Sequence, residues 1–141
     1  MGGLFHRLRR IFRRADSGER GERWAAAWLR RERGFRIVAR NWRSPRDLRH
    51  ELDLVARDGE VLVFVEVKAR AAGARVPGQH AVDARKRNAL RRAVTAYLAG
   101  LRVKPLTVRF DIVEVALPAG DEPAEVRHFA NLPLFPPDWR P

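Results

Sequence analysis

The 141-residue sequence contains no cysteine, which excludes disulfides and thiolate-bound metal sites. It also has no apolar run near the roughly 20 residues that a membrane-spanning helix needs, so we expect no integral membrane association. The first residues lack the continuous apolar stretch and the small-residue cleavage site of a secretory signal peptide. A cytoplasmic location is therefore the default expectation.

Lysine is scarce, although the chain is strongly basic. Of 29 Lys and Arg residues, only Lys68, Lys86 and Lys104 are lysines. A lysine that ends an apolar strand, as Lys68 does, suggests a need for a compact ammonium group without the bulk of a guanidinium. The net charge of +12 indicates a polyanionic partner, with nucleic acid first and an anionic membrane surface second. An arginine-rich composition that only forms a basic surface is the alternative.

The order of amphipathic segments predicts an α/β fold with a mixed central β-sheet flanked by helices in an αβββαβ core. A single domain is expected at this length, which suffices to bury about two-thirds of the unfolded surface. Residues 16–132 hold the predicted elements, and residues 133–141 form a Pro-rich tail. The predicted elements are a helix from Asp16 or Ser17 to Arg33, strands over 35–41, 51–57 and 61–68, a helix over 82–99, and strands over 107–115 and 125–130.

Residues 1–15 form a basic amphipathic segment. Apolar residues recur there at helical spacing, with arginines between them. Such a segment can lie on acidic lipid or on phosphates. Because chain termini fray by default, the favoured interpretation is a mobile basic tail outside the domain.

Four charged residues interrupt two otherwise apolar strands between His50 and Arg70: Glu51, Asp53, Glu66 and Lys68. The Asp58-Gly59 pair predicts a two-residue hairpin turn that joins these strands, with Arg57 opposite Glu60. Since side chains alternate along a strand, all four charged residues would then point to one face of the sheet. In this register Asp53 faces Phe64, and Asp53 and Glu66 are diagonal neighbours at roughly 7–8 Å.

Charges in apolar strands are costly to bury unless they are paired or bind a metal. Two carboxylates on adjacent strands can hold Mg²⁺ or Mn²⁺, which prefer oxygen ligands. We therefore predict Asp53, Glu66 and the Val67 backbone carbonyl as metal ligands, with Glu51 as an additional candidate. Lys68 would orient or deprotonate a water that attacks a phosphodiester. The alternative is an internal salt-bridge cluster in which Lys68 pairs with Glu66 or Glu51.

Further candidate site residues lie around this hairpin. Glu22 is at the inner edge of the apolar stripe of the first helix, and the sequence leaves open whether it belongs to the site or is a surface residue favoured by the helix dipole. Arginines near the site would bind flanking phosphates through paired hydrogen bonds. The candidate nucleic-acid contacts are Arg40, Asn41, Arg43, Arg70, Arg75 and Lys86.

Asp53, followed after twelve residues by Glu66-Val67-Lys68, resembles the PD-(D/E)xK nuclease signature, with Glu22 as a fourth element. More closely, the chain resembles the YraN-like uncharacterised bacterial family, which is similar to archaeal Holliday-junction resolvases. The resemblance covers about residues 18–132. The matching residues are Gly18, Gly21-Glu22, Arg40-Asn41, residues 51–55 and 64–68, Arg70, Gly78, Val82, Lys86 and Arg109-Phe110-Asp111.

This resemblance implies a restriction-endonuclease-like fold and a metal-dependent nuclease site at Glu22, Asp53, Glu66 and Lys68. It also implies Mg²⁺ or Mn²⁺ as the cofactor, no small-molecule cofactor, and DNA as the substrate, including branched or junction DNA. The alternatives are a catalytically silent nucleic-acid-binding module with the same fold and a membrane-surface adaptor.

Two further expectations follow from the resemblance. A homodimer is expected by analogy with the resolvases, because a four-way junction has two symmetric cuts. His50 stands where the family usually has Gly before the Glu. An exposed His50 is favoured over one that crowds the hairpin or contacts DNA.

Overall fold

The computed structural model describes residues 3–73 and 82–141, with the side chains of the first helix described from Gly18 onward. Arg75 and Gly78 therefore lie outside the described residues. The order of elements agrees with the sequence prediction. The elements are α1 (Gly3–Arg33), β1 (Arg36–Arg43), β2 (Glu51–Asp58), β3 (Val61–Ala71), α2 (Ala84–Ala99), β4 (Val108–Leu117) and β5 (Glu125–Phe129).

The strands form one five-stranded sheet in chain order, from β1 at one edge to β5 at the other. β3 and β4 are parallel and α2 lies between them in the chain, whereas the other neighbouring strands pair antiparallel. The predicted mixed sheet flanked by helices is confirmed, and it is compatible with a restriction-endonuclease-like fold.

The two helices cover opposite faces of the sheet. Leu90 and Val94 of α2 pack with Phe64 in one buried cluster, and Leu29 of α1 packs with Val63 in another. β3 is therefore apolar on both faces, as expected for a strand at the centre of a sheet. A charged residue in this part of the sheet needs a partner, because neither side offers bulk water. None of the described helices is long and apolar enough to span a membrane.

The predicted start of the first helix is wrong. α1 begins at Gly3 rather than at Asp16 or Ser17. The helical spacing of apolar residues in the 4–12 stretch and the high helix propensity of arginine favour a helix there. Most of the segment predicted as a tail is thus helical backbone, and its amphipathic face lies outside the described side chains.

The faces of β1 also differ from the prediction, which put Phe35, Ile37 and Ala39 on one face. Phe35 and Ile37 pack on the α1 side and Ala39 packs on the α2 side. A register shift between Ile37 and Ala39 explains this, because a bulge at Val38 reverses the alternation of the strand. β1 also continues to Arg43, so Trp42 packs in the α2-side cluster rather than in an exposed loop.

The β2–β3 hairpin forms, but with another turn. Asp58 pairs with Val61, so the turn residues are Gly59 and Glu60 rather than Asp58 and Gly59. Gly59 has φ 59°, a left-handed conformation that glycine adopts without steric cost. Each β2 residue consequently meets the β3 residue two positions beyond the predicted one, and this register leads Asp53 to Glu66 rather than to Phe64. Over Leu54–Asp58 a slip of two keeps each side chain on its predicted face. The alternation of β2 breaks at Asp53, because Leu52 packs in the α2-side cluster and Leu54 in the α1-side cluster, so the prediction that Glu51 shares one face with the other three charged residues is not confirmed.

The later elements agree with the sequence pattern. The helical periodicity of α2 predicts five inward-facing residues, and all five are buried: Leu90, Ala93, Val94, Tyr97 and Leu98. β5 has nearly its predicted bounds. The Pro-rich segment has no helix or strand, yet Leu134 is buried in the α2-side cluster and Phe135 stacks on Trp139 at 3.8 Å. The α2-side core therefore includes a residue from this last segment.

Candidate functional site

Asp53 of β2 and Glu66 of β3 form a carboxyl pair. The Val67 N–H, one residue after Glu66, donates to Asp53 Oδ2 at 2.8 Å, and the charge of Asp53 raises the pKa of Glu66. Glu66 is 9% exposed. Neighbouring carboxylates repel each other, so their pKa values rise unless a cation lies beside them.

Lys86, in the first turn of α2, supplies a positive charge to this pair. Its Nζ lies 3.1 Å from Glu66 Oε1. Asp83 is the N-cap of α2, and its side chain accepts a hydrogen bond from the Lys86 N–H at 2.8 Å, which holds the first turn of the helix in place. The sequence predicted Lys86 as a nucleic-acid contact, whereas the structure places its ammonium group at the carboxyl pair.

The pKa values of the pair reflect burial and mutual repulsion. Burial raises the pKa of Glu66 to about 7, the charge of Asp53 adds to the rise, and Lys86 opposes it. Burial also raises the pKa of Asp53, against the hydrogen bond from Val67 and the charge of Lys86. The pair therefore holds a proton near neutral pH, and a metal cation bound to the pair would replace that proton.

Glu22 reaches the same region from α1, and Gly21 makes its approach possible. A Cβ atom at position 21 would overlap the side chain of Ala69 in β3, so glycine lets the helix lie close against the strand. Burial and the charge of Asp53 raise the pKa of Glu22, while a hydrogen bond with Asn41 lowers it. Glu22 Oε2 is buried and has no hydrogen-bond partner among the described residues. An unpartnered buried oxygen of this kind suits a ligand.

A cavity of about 420 Å³, here called the carboxylate cavity, joins α1 to the ends of β1 and β2. Asn41 stands in its wall with φ 46°, a left-handed conformation that asparagine tolerates better than most residues. Glu51 lines it too, with its Oε2 3.2 Å from Arg43 Nη2. The lining residues are Gly18, Glu19, Glu22, Asn41, Arg43, Glu51, Leu52 and Asp53.

The remaining predicted residues lie around this site. Lys68 has the same parity as Glu66 in β3, whose odd-numbered neighbours Val67 and Ala69 pack on the α1 side, so both charged side chains belong to the α2 side. Arg40 is exposed and lines a second small cavity with Glu22. Arg70 is exposed near the end of β3.

The donor atoms fit a hard divalent cation. No three His, Asp or Glu side chains within residues 3–73 and 82–141 are arranged to hold a metal ion by themselves. Magnesium commonly uses one or two protein carboxylates and keeps several waters, so it does not require a third. The carboxyl pair supplies two such carboxylates, and the Val67 carbonyl stays a predicted ligand.

His50 differs from the favoured expectation of exposure. Its side chain is only 26% exposed, and its Nε2 lies 3.8 Å from Asp47 Oδ2. The β1–β2 connection folds back on itself there, since the Ser44 N–H donates to the His50 carbonyl at 3.0 Å.

A second polar cluster, which the sequence pattern did not predict, lies on the α1 side of the sheet. Asp111 of β4 is 0% exposed, and it accepts hydrogen bonds from Arg109 Nε at 2.8 Å and from the Asn131 N–H at 3.0 Å. His128 Nε2 lies 2.8 Å from its other oxygen, and Arg109 also reaches Asp58 at the hairpin turn. Burial alone would raise the pKa of Asp111, but these hydrogen bonds hold it below its usual value. An aspartate between Phe110 and Ile112 in a buried strand is the signal that could have revealed it.

Comparison with known proteins gives the family of the chain. Residues 21–115 match a family model described as "Uncharacterised protein family UPF0102". The chain belongs to the UPF0102 family. This confirms the predicted YraN-like family, and the matched UPF0102 region contains Glu22, the carboxyl pair and Lys86. The description assigns no activity.

Relatives in the UPF0102 family extend over most of the chain. A UPF0102 protein of Anaeromyxobacter dehalogenans is 44% identical over 124 residues, which cover 88% of this chain and 87% of the relative. One of Symbiobacterium thermophilum is 50% identical over 100 residues, which cover 70% and 80%. One of Porphyromonas gingivalis is 39% identical over 116 residues, which cover 82% of each chain. Each of these relatives is aligned over at least 70% of this chain.

Proposed function

We propose that this protein is a divalent-metal-dependent endonuclease that hydrolyses DNA phosphodiester bonds. The observation that carries the proposal is the carboxyl pair, in which Glu66 is buried, Asp53 is half-buried, and the pKa of each carboxyl group is raised. Like charges held together in a sheet interior cost stability, so the arrangement favours a function that uses them. The resemblance to the PD-(D/E)xK signature assigns the same residues to metal binding.

The metal would be Mg²⁺ or Mn²⁺, held by Asp53 and Glu66 with the Val67 carbonyl, and Glu51 is a further candidate ligand. When bound, such an ion polarises the phosphodiester and promotes ionisation of a water. Glu22 would accept a proton from that water, and its Oε2, buried and without a hydrogen-bond partner in the described part of the chain, supports this role.

The basic side chains have separate roles in this proposal. Lys68, on the same face of β3 as Glu66, would stabilise the negative charge that develops on the phosphate. Lys86 neutralises Glu66 while no metal is bound, which keeps the carboxyl pair together. The exposed Arg40, Arg43 and Arg70 would bind phosphates on either side of the cleaved bond.

DNA is the proposed partner because the net charge of +12 favours a polyanion. Branched or junction DNA follows from the resemblance to resolvases, and a homodimer would then present two sites to one junction. Action on DNA also implies a cytoplasmic location.

One observation favours a second function, nucleic-acid binding without cleavage. Lys86 already neutralises Glu66, and no third acidic group completes a metal cluster among the described residues. A protein that kept the fold but not the reaction could retain such an internal ion pair. Cleavage measurements separate the two functions.

The test is a panel of duplex, single-stranded, flap and four-way DNA incubated with Mg²⁺ or Mn²⁺. We expect the wild-type protein to cut at least one member, and Glu66→Gln and Asp53→Asn to cut at least 100-fold more slowly while they still bind in a salt-dependent manner. Glu60→Gln, an exposed change in the hairpin turn, is the matched control and should cut normally. Binding by all proteins with no cutting by any would replace the nuclease with the binding module.

A further inference from the structure

Another cavity, of about 640 Å³, lies between the β1–β2 connection and the C-terminal end of α2. We call it the aromatic cavity because Trp42 and Tyr97 stand in its wall, with ring centroids 5.2 Å apart in an edge-to-face arrangement. Ala96, Ala99 and Gly100 line it from the helix end. Small residues opposite an aromatic wall leave room for a flat ring.

Polar groups surround the opening of the aromatic cavity. His50 and Asp47 line it with side chains about one-quarter exposed. Ser44 is almost completely buried, and its Oγ accepts a hydrogen bond from the Arg46 N–H at 3.3 Å. The Arg46 residue is exposed. An apolar wall, hydrogen-bonding groups and a guanidinium at one opening are the features that recognise a nucleotide rather than a purely apolar group.

The aromatic cavity lies close to the carboxyl pair along β2. Trp42, in its wall, pairs with Leu52, the residue directly before Asp53. Opposite residues of neighbouring strands lie about 4.5–5.5 Å apart at Cα. A DNA strand with a phosphate at the carboxyl pair would therefore bring a nearby nucleotide to the aromatic cavity.

We propose that the aromatic cavity binds an unstacked nucleobase of the DNA strand whose phosphate lies at the carboxyl pair. The base stacks on Trp42, and His50, Asp47 and Ser44 offer hydrogen bonds to its edge. This inference rests on the proposed function in taking DNA as the ligand and the carboxyl pair as the place of its phosphate. The net charge of +12 and the exposed Arg46 favour a polyanionic strand over a second copy of this basic chain.

The aromatic cavity also gives a physical basis for a preference among DNA structures. A base inside a regular duplex must lose its stacking and pairing before it can enter the cavity. Bases at a flap, a junction or a single-stranded end have already lost part of those interactions. Their strands therefore bind with less energetic cost than an intact duplex does.

The experiment compares two single strands of equal length and charge, one of deoxythymidylate and one of abasic residues, by fluorescence anisotropy in a chelator. We expect the base-containing strand to bind wild-type protein on the order of ten-fold more tightly, as stacking of a base on an aromatic side chain predicts. Ala99→Phe places a ring in the aromatic cavity and should remove that advantage. Ala89→Phe is the matched control, because Ala89 is exposed on α2 outside the cavity lining.

Equal binding of the two strands by the wild-type protein would overturn the proposal without reference to any variant. An unchanged advantage in a folded Ala99→Phe would overturn it as well. Because no metal is present, the result is independent of cleavage. A base-dependent advantage without cutting in the metal panel counts against the nuclease alone, whereas cutting without that advantage counts against the aromatic cavity alone.

Discussion

The Lys86 ammonium group lies 3.1 Å from Glu66 Oε1, so the first turn of α2 neutralises an acid of β3. We expect Lys86→Met to raise the pKa of Glu66 above its value of about 7, since the charge that opposes the rise is removed. Carboxyl ¹³C NMR during a pH titration measures this directly. Lys104→Met, at an exposed position, is the control. An unchanged Glu66 titration in Lys86→Met would show that the ion pair is absent in solution.

The carboxyl pair predicts how stability depends on pH. The pKa of Glu66 is 4.5 in the unfolded chain and about 7 in the folded protein, so the folded state binds the proton more tightly. Its contribution to stability is complete below pH 4.5 and is lost as the pH rises through about 7, with Asp53 acting in the same direction. The loss is on the order of 3 kcal/mol at most. Urea unfolding from pH 5 to pH 8 measures it, and Glu66→Gln should flatten the profile. A flat wild-type profile would contradict the raised pKa.

Metal addition should reverse that loss. Since a divalent cation competes with the proton for the carboxyl pair, we expect Mg²⁺ or Mn²⁺ to raise the free energy of unfolding more at pH 8 than at pH 5. At a concentration 100 times the dissociation constant the gain is about 2.7 kcal/mol. Thermal unfolding with and without a chelator measures it, and Asp53→Asn should respond little. Equal stabilisation of that variant would place the ion elsewhere.

The surroundings of Gly21 and Gly18 in α1 predict that alanine has opposite effects on stability at the two positions. Gly21→Ala should destabilise the protein by about 1–3 kcal/mol, because its Cβ would overlap Ala69 and push the helix from β3. Gly18→Ala should stabilise it by about 0.5–1 kcal/mol, since no atom lies within 4 Å and alanine favours the helix. Urea unfolding compares the two. A neutral Gly21→Ala would show that α1 does not lie against β3 in solution.

Asp111 predicts a large loss of stability at a distance from the carboxyl pair. Asp111→Asn should cost about 3–5 kcal/mol, because it leaves Arg109 beside a neutral group in a buried cluster. Asp58→Asn removes the partly exposed partner of the same arginine and should cost less than about 1 kcal/mol. Chemical denaturation measures both. Similar costs for the two variants would mean that burial of Asp111 does not determine its contribution.

Alternation explains how the shared face was predicted from the sequence despite the wrong turn. Glu66 and Lys68 are two residues apart, so they lie on one face of β3. The change of turn from Asp58-Gly59 to Gly59-Glu60 shifts the pairing of β2 with β3 by two residues, and such a shift leaves the face of each paired residue unchanged. The inward residues of α2 follow from a periodicity that local sequence contains. Periodic patterns of this kind predict most of the helices and strands of the fold.

Tertiary contacts account for what the sequence did not predict. The bulge at Val38 and the left-handed Asn41 have no glycine or proline to mark them. Lys86 meets Glu66 only because α2 crosses back over β3, a placement that sequence spacing does not specify. Asp111 and His128 likewise become partners through the pairing of β4 with β5.

The bulge at Val38 has a consequence for assembly. β1 is an outer strand of the sheet, and its free backbone groups could otherwise pair with the same strand of another molecule. The extra residue interrupts that row of donors and acceptors and twists the strand away from a flat neighbour. If two copies joined their sheets through β1 into one ten-stranded sheet, the strands would not pair beyond the bulge. The β5 edge of the sheet is therefore better suited to such a joined sheet.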